Sequence, residues 1–349
     1  TVNELTKQPS GKRALLDIRV HYILRPWDRV FFSNKVAKVY AKVLEEISVR
    51  EIDCAHAHFL YSDGAVAMRL KRDFGIPFVV AVRNTDVNYF MRFRPDLWGV
   101  AQKVLIEAER IVFISPSYRK AFLDFKLGPI RSLVEAKSVV LPNGVARFWL
   151  DSVPESLGGL KGKNEALRLL YVGDFTSNKN TLGTLRAAAL VQKTRPVKVT
   201  LVGSSGPDEA RVNNLLGSSK YSFAARVGRI HERAELLKVY REHDIFVMPS
   251  FRETFGLVYV EALSQGLPVV HSAGQGIDGY FDASGVAIGV DPGSPRDIAR
   301  GIEALATEIS SRRGECVIQA RRFDWRLICA EYLEIYRGCV RSHGIQSEA

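Results

Sequence analysis

The chain has 349 residues, 46% hydrophobic and 25% charged, which is the balance of a soluble globular protein and excludes a disordered or collagen-like chain. Residues 1–150 hold 24 basic and 15 acidic side chains, and residues 151–349 hold 25 and 23, so the +11 charge sits mostly in the first half. That asymmetry suits an anionic partner such as phosphate, a membrane surface or nucleic acid, and equally a solubilising bias without a partner.

The length suggests two domains. No apolar run is long enough for a transmembrane helix, and the opening TVNELTKQPSGKR lacks the apolar stretch of a signal peptide. Four cysteines without a CxxC pair are no disulfide framework, and a reducing, cytoplasmic setting is the default.

Taken in chain order, LDIRVHYIL over Leu16–Leu24 reads as a strand. Val36, Val39, Val43 and Ile47 recur at helical spacing and predict a helix over Asn34–Ser48. Ile52–His56 is a short strand, Gly64–Arg72 a helix, and Ile76–Val82 an apolar run of the kind buried in parallel sheets. A helix over Gln102–Ala108 and strands over Arg110–Ile114 and Val139–Leu141 follow, then the turn Pro142-Asn143-Gly144. Residues 152–164, rich in Gly, Pro, Ser and Lys, read as an interdomain linker.

The rhythm restarts with strands Leu167–Val172, Val197–Val202, Tyr221–Val227, Ile245–Met248 and Pro268–His271. Between them lie helices Asn180–Val191, Pro207–Leu216, Arg233–Tyr240 and Leu257–Ser264, and an amphipathic helix over Trp325–Val340 closes the chain. This alternation predicts an α/β protein with two doubly wound Rossmann-like domains facing a cleft. The expected division is an N-terminal domain over residues 1–153, a C-terminal domain over 154–325, and a last segment, 326–349, packing back toward the N-domain. Ligands in such sheets bind at the carboxyl ends of the strands.

The most informative segment is PSFRETFGLVYVEALSQGLPVV over Pro249–Val270. It places a strand, a loop with Glu253, and a helix starting near Gly256 that carries Glu261. A helix N-terminus presents free N–H groups to phosphate, and Gly256 removes a Cβ from the approach. Glu261 could accept two hydrogen bonds from a vicinal diol such as a ribose. The same two carboxylates also fit a solvated loop and helix.

Pro249-Ser250, Glu253, Phe255-Gly256-Leu257 and Glu261 resemble the Glu-x7-Glu signature of retaining GT-B glycosyltransferases of family 4. LYVGDFTSNKN, LPNGV and GIPFVVAVRNTDVNYF resemble its first C-domain strand and lysine loop, its interdomain element and an N-domain strand. The resemblance implies that Lys179 steadies the departing nucleotide diphosphate, Glu253 faces the transferred sugar and Glu261 the donor ribose. Phe255, Gly256 and Leu257 would supply backbone N–H groups, with Thr254 and Gly173 also at the donor, and Arg229 and Ile230 at the base. Arg83, Asp86 and Asn143 fall to the acceptor or interdomain side.

Three departures stand out. Asp174 occupies a position where relatives carry an arginine paired with the lysine, leaving Arg252, Arg229 and Arg83 as candidates for the second cation. Arg83 stands where many relatives have a histidine; it cannot be a general base, but could bind a phosphate or acid group of the acceptor. No Gly-rich loop precedes Pro26, which implies a missing or reduced leading segment and an exposed sheet edge.

His56 and His58 share a strand face, without a third metal ligand nearby in sequence, and no Asp-x-Asp motif is present. Gly203-Ser204-Ser205-Gly206 is a weak dinucleotide-like loop, without the spacing of an oxidoreductase. Trp27, Phe31, Phe32, Tyr89, Phe90, Phe93 and Trp98 alternate with Arg25, Arg29, Arg92 and Arg94, as at a membrane surface, a sugar platform or the edge of a core.

The resulting expectation is a glycosyltransferase with no cofactor and no required metal. It would move a sugar from a nucleotide-sugar to a glycan or lipid-linked acceptor in cell-surface polysaccharide or glycolipid synthesis. The setting is cytoplasmic, with attachment to an anionic inner membrane face and no nucleic-acid partner. The rivals are a nucleotide-sugar epimerase or phosphorylase of the same fold, and a basic anion-binding protein without activity.

Overall fold

A computed structural model describes residues 17–125, 127–154 and 165–343. Most of the predicted linker, residues 155–164, and residue 16 of the first predicted strand lie outside the described residues. Two parallel sheets with helices against them make an α/β architecture.

The first sheet has the order β1 (Ala55–Ala57), β2 (Phe78–Val82), β3 (Arg110–Phe113), β4 (Ser138–Val140), with every pairing parallel. All of β2 is buried, as its unbroken apolar run requires of a strand covered on both faces. Phe78, Val80 and Val82 join a core containing Ala67 and Met68 of helix α2 (Ser62–Phe74) and Val104 of α3 (Trp98–Glu107). Helix α1 (Phe32–Glu46) packs outside them through Val36, against Ala65 and Val66. Val79 and Val112 on the other face meet Cys339 and Tyr336 of the C-terminal helix.

Residues 17–24, expected as a strand, form none. Val20, Tyr22 and Leu24 are exposed there, Tyr22 almost completely. A strand is stabilised by its pairing and its buried face, and alternation alone provides neither. Helices α4 (Pro116–Leu123) and α5 (Arg131–Lys137) were missed by periodicity. The start of α4 was nonetheless written locally: Pro116 is at its first turn, and the Ser115 hydroxyl accepts the Tyr118 N–H at 3.2 Å.

The second sheet contains β5 (Leu167–Val172), β6 (Val197–Val202), β7 (Ala224–Val227), β8 (Ile245–Val247), β9 (Val269–Ser272) and β10 (Ala287–Val290). Its spatial order, β10-β9-β8-β5-β6-β7, reverses direction between β5 and β8. A doubly wound sheet opens its ligand crevice at such a switch point. The strands alternate with α6 (Thr181–Val191), α7 (Glu209–Leu216), α8 (Arg233–Arg241) and α9 (Leu257–Ser264). β10 and the helices α10 (Pro295–Ala306) and α11 (Ile309–Ala320) extend beyond the elements expected from sequence.

Helix α12 (Trp325–Ser342) returns to the first sheet. The chain crosses between the sheets twice, and the two crossings touch. The Val145 N–H donates to the Phe323 carbonyl at 2.9 Å, and Val145 bridges Asp324. Asn143 is half-buried beside this junction.

Candidate active site

The switch point is built from three loops held together by asparagines. The loop after β5 begins at Gly173 and ends in a helical turn capped by Thr176, whose hydroxyl accepts the Lys179 N–H at 3.2 Å. Asn180, in the left-handed region at φ 57°, then sends its amide to the Pro249 carbonyl after β8 at 3.0 Å and to the Pro292 carbonyl after β10 at 2.7 Å. Asn178 donates to the Arg252 carbonyl at 2.8 Å and accepts the Phe251 N–H at 2.8 Å. Neither asparagine stood out in the sequence, because a side chain bracing another loop's carbonyl has no periodic signature.

These braces bring Lys179 and Glu253 together, 74 residues apart in sequence. The ammonium meets Glu253 Oε2 at 2.7 Å. Glu253 is 8% exposed, and its other oxygen accepts the Thr254 N–H at 3.1 Å. Gly256 follows at φ 85°, which a side chain would strain, and a Cβ there would lie 2.3 Å from the Tyr259 ring. Among the described residues, the N–H groups of Phe255, Gly256 and Leu257 have no acceptor. The Phe255 side chain is core, so only its backbone faces the crevice, while Leu257 is exposed.

Glu261 sits 1.5 turns further, half-buried, with one oxygen 3.3 Å from the Tyr240 hydroxyl. Burial pushes its carboxyl above the ordinary range, opposed by the Tyr240 hydrogen bond and the nearby Arg233 charge. Arg229 and Ile230 lie in the loop after β7, and Arg229 pairs with Asp174 at 2.7 Å. The donor residues named from sequence thus gather on the carboxyl rim of β5, β7 and β8.

The N-terminal half reaches this rim directly. The Asn84 amide donates to the Glu253 carbonyl at 3.2 Å, and the buried Tyr118 hydroxyl donates to the same carbonyl and sits 3.2 Å from Gln275 Oε1. Asn84, Tyr118 and Gln275 escaped the sequence reading; Asn84 lies next to Arg83, yet only the fold brings it against Glu253.

Arg83 ends β2 and faces the end of β1. Its guanidinium donates to the His58 carbonyl at 3.3 Å and lies 3.4 Å from His58 Nδ1. Asp86 is different from expectation: it is fully buried and serves as a staple. One oxygen accepts the Arg83 N–H at 2.8 Å and the Leu60 N–H at 3.3 Å, and the other has no partner among the described residues. Burial raises its carboxyl to about 7, against the two backbone hydrogen bonds. Asp86 therefore holds the backbone at Arg83 and Leu60 in place and presents no exposed carboxylate.

His56 stacks on His58 with centroids 4.5 Å apart, and its Nδ1 is 2.6 Å from the Tyr336 hydroxyl of α12. Burial, with His58 and Arg83 beside it, pushes His56 down to about 4, so it is neutral at pH 7. Among the described residues no three His, Cys, Asp or Glu side chains gather as a metal site. The aromatic–basic segment divides in two. Phe32, Phe90 and Trp98 pack against the core, whereas Trp27, Phe31, Tyr89 and Phe93 are each more than half exposed.

A doubly wound sheet with a lysine, a carboxylate and a free helix N-terminus at its switch point, beside a second parallel sheet, is the arrangement of the GT-B fold. The family profile "Glycosyl transferases group 1" matches residues 159–322, and "Glycosyltransferase Family 4" matches residues 5–147. The chain belongs to these glycosyltransferases. It is 25% identical to D-inositol 3-phosphate glycosyltransferase of Paenarthrobacter aurescens, over 95% of this chain and 86% of the relative. It is 29% identical to the enzyme of that name in Kineococcus radiotolerans, over 86% and 74%. Among solved structures, sucrose-phosphate synthase of Thermosynechococcus elongatus aligns with a TM-score of 0.62 at 21% identity, over 92% of this chain and 81% of that one. Anabaena HepE, solved in complex with UDP, aligns at 0.63 and 18%, over 87% and 82%. At these identities the two structures show the common fold.

Proposed function

We propose that this glycosyltransferase moves a sugar from a nucleoside diphosphate sugar to an acceptor carrying an anionic group, with retention and without a required metal. The observation that carries the reading is the Lys179–Glu253 pair, 2.7 Å apart beside the free N-terminus of α9. As the bond between sugar and diphosphate breaks, negative charge grows on the diphosphate. An ammonium and helix N–H groups placed there in advance stabilise that charge more than the ground state. Glu253 lies beside the transferred sugar, Glu261 binds the ribose, and neither needs to act as a strong base.

Arg83 supports the anionic acceptor. It is a permanent cation at the carboxyl end of β2, and relatives are named for phosphorylated acceptors such as inositol 3-phosphate. The exposed Trp27, Phe31, Tyr89 and Phe93 on this basic half support a lipid-linked acceptor, taken at the anionic inner face of a membrane by a cytoplasmic enzyme in glycolipid or cell-surface polysaccharide synthesis. No helix among the described residues is long and apolar enough to cross a bilayer.

The test is transfer and donor hydrolysis with UDP-, GDP-, ADP- and TDP-sugars, with and without chelator. NMR of the product anomer reads retention. Unchanged rates in both Lys179→Ala and Glu253→Gln would refute the site. Product formation from donor alone would point to an epimerase. Equal flotation with neutral and anionic liposomes would remove the membrane part.

A further inference from the structure

Lys179 shares its charge with Glu253, so a second cation beside the departing diphosphate would add to what the lysine and the helix N–H groups supply. The second residue of the loop after β5 is Asp174, whose carboxylate would by itself repel the diphosphate. The structure shows what that carboxylate does: it holds the Arg229 guanidinium at 2.7 Å, with Ser204 Oγ 3.4 Å away.

Arg229 comes from two strands away, since β6 lies between β5 and β7. At about 4.8 Å per strand the two backbones stand about 10 Å apart, which a long side chain can bridge. The rim is tight enough to allow it. The Gly173 N–H donates to the Val202 carbonyl at 2.9 Å and the Gly203 N–H to the Val227 carbonyl at 3.3 Å, so the ladder continues past the strands. A Cβ on Gly203 would fall 2.1 Å from the Gly173 carbonyl, so the loop after β6 lies with its backbone against the loop after β5.

The loop after β5 therefore has a cation at each end, Lys179 as part of the chain and Arg229 by ion pairing. Asp174 and Arg229 are about half exposed, at 48% and 50%, and an exposed pair of this kind contributes little to stability. The carboxylate takes one amino group of the guanidinium, and the rest of its five-donor fork stays available to phosphate oxygens.

We propose that Arg229, held over the end of β5 by Asp174, binds the donor diphosphate together with Lys179, with Asp174 as a positioning residue. This rests on the donor-site reading above. Calorimetric titration of the full chain with UDP, GDP and ADP, and with the matching monophosphates, tests it. For the nucleotide that binds, Arg229→Ala weakens the diphosphate about tenfold to a hundredfold, as loss of a charged hydrogen bond does, and the monophosphate less than about threefold. Adding Asp174→Arg to Arg229→Ala puts the cation back on the β5 loop and restores the diphosphate to within about threefold of the unmodified protein.

Undiminished diphosphate binding in Arg229→Ala overturns the inference. So does an equal loss for monophosphate and diphosphate, which would place the guanidinium on the base or ribose. A diphosphate-specific loss in Arg252→Ala instead of Arg229→Ala, or no restoration in the double variant, overturns it as well. If the unmodified protein binds none of the three diphosphates, the donor-site reading falls and takes the inference with it.

Discussion

The two sheets are built alike but finished differently. The C-terminal sheet reverses its winding at β5 and β8, and asparagine side chains tie the loops there into one surface. The N-terminal sheet runs β1 to β4 without a reversal among the described residues; the histidine–arginine cluster lies at the ends of β1 and β2, and this half carries exposed aromatics. On the proposed function, a nucleoside diphosphate calls for donors set in place on one side, and an acceptor meets the side chains of the other. The difference between the halves is one of braced loop backbone on one side and side-chain character on the other.

The comparison breaks most readily at the donor rim. Lys179→Ala is expected to lower kcat by about a hundredfold to a thousandfold, the scale of removing one preset electrostatic contact. Steady-state transfer assays with saturating donor read it, and a smaller effect than for Arg83→Ala would reverse the roles given to the two halves.

The next effect lies in the N-terminal half and concerns stability. Asp86 has its carboxyl raised to about 7 in the folded chain, so the fold favours the protonated form. Its contribution is complete below the ordinary carboxylate range and is lost as pH rises from about 4 through about 7, on the order of 4 kcal/mol in all. Asp63 adds to the upward push, and Arg83 with its own and the Leu60 N–H groups opposes it. Asp86→Asn keeps an acceptor for those N–H groups and removes the titration. Thermal melting from pH 5 to pH 8 should flatten in the variant; an unchanged slope would assign the pH dependence elsewhere.

Tyr118→Phe removes a hydroxyl that crosses from the N-terminal half to the Glu253 carbonyl. The hydroxyl also accepts from the Asn84 amide; loss of its bond to the Glu253 carbonyl, about 1 kcal/mol, predicts a roughly fivefold fall in kcat with little change in nucleotide affinity. If nucleotide affinity falls instead, the bridge builds the donor pocket and does not couple the two halves. Arg83→Ala should raise the acceptor KM about tenfold while donor hydrolysis stays the same, the loss expected for a charged contact to the acceptor. The smallest effect belongs to the exposed aromatics: Trp27→Ser with Phe31→Ser should shift stability by about 0.5 kcal/mol or less while reducing flotation with anionic liposomes.

Much of the C-terminal half was legible in sequence. Strands Leu167–Val172 and Val197–Val202 and helix Leu257–Ser264 have the bounds that periodicity assigned them. Residues 17–24 of the strand expected over Leu16–Leu24 form none because alternation records what a residue could bury, and among the described residues Val20 and Tyr22 stay exposed. Helix α4 failed for the opposite reason: its capping serine and proline were present, but its apolar spacing was too brief to count.

At the site, sequence by itself determined the chemistry available: a lysine after the first C-terminal strand, two glutamates eight apart, a glycine where a helix must start. Those are local properties, set by residue type and by the geometry of one turn or one helix. Only the tertiary structure decided which of them meet. It paired Lys179 with Glu253, buried Asp86 out of reach, brought Asn84 and Tyr118 from the other half, and bound Asp174 to an arginine 55 residues away. Each of these depends on strand order and on loops touching across a sheet, and neighbours in space that are distant in the chain leave no periodic trace in it.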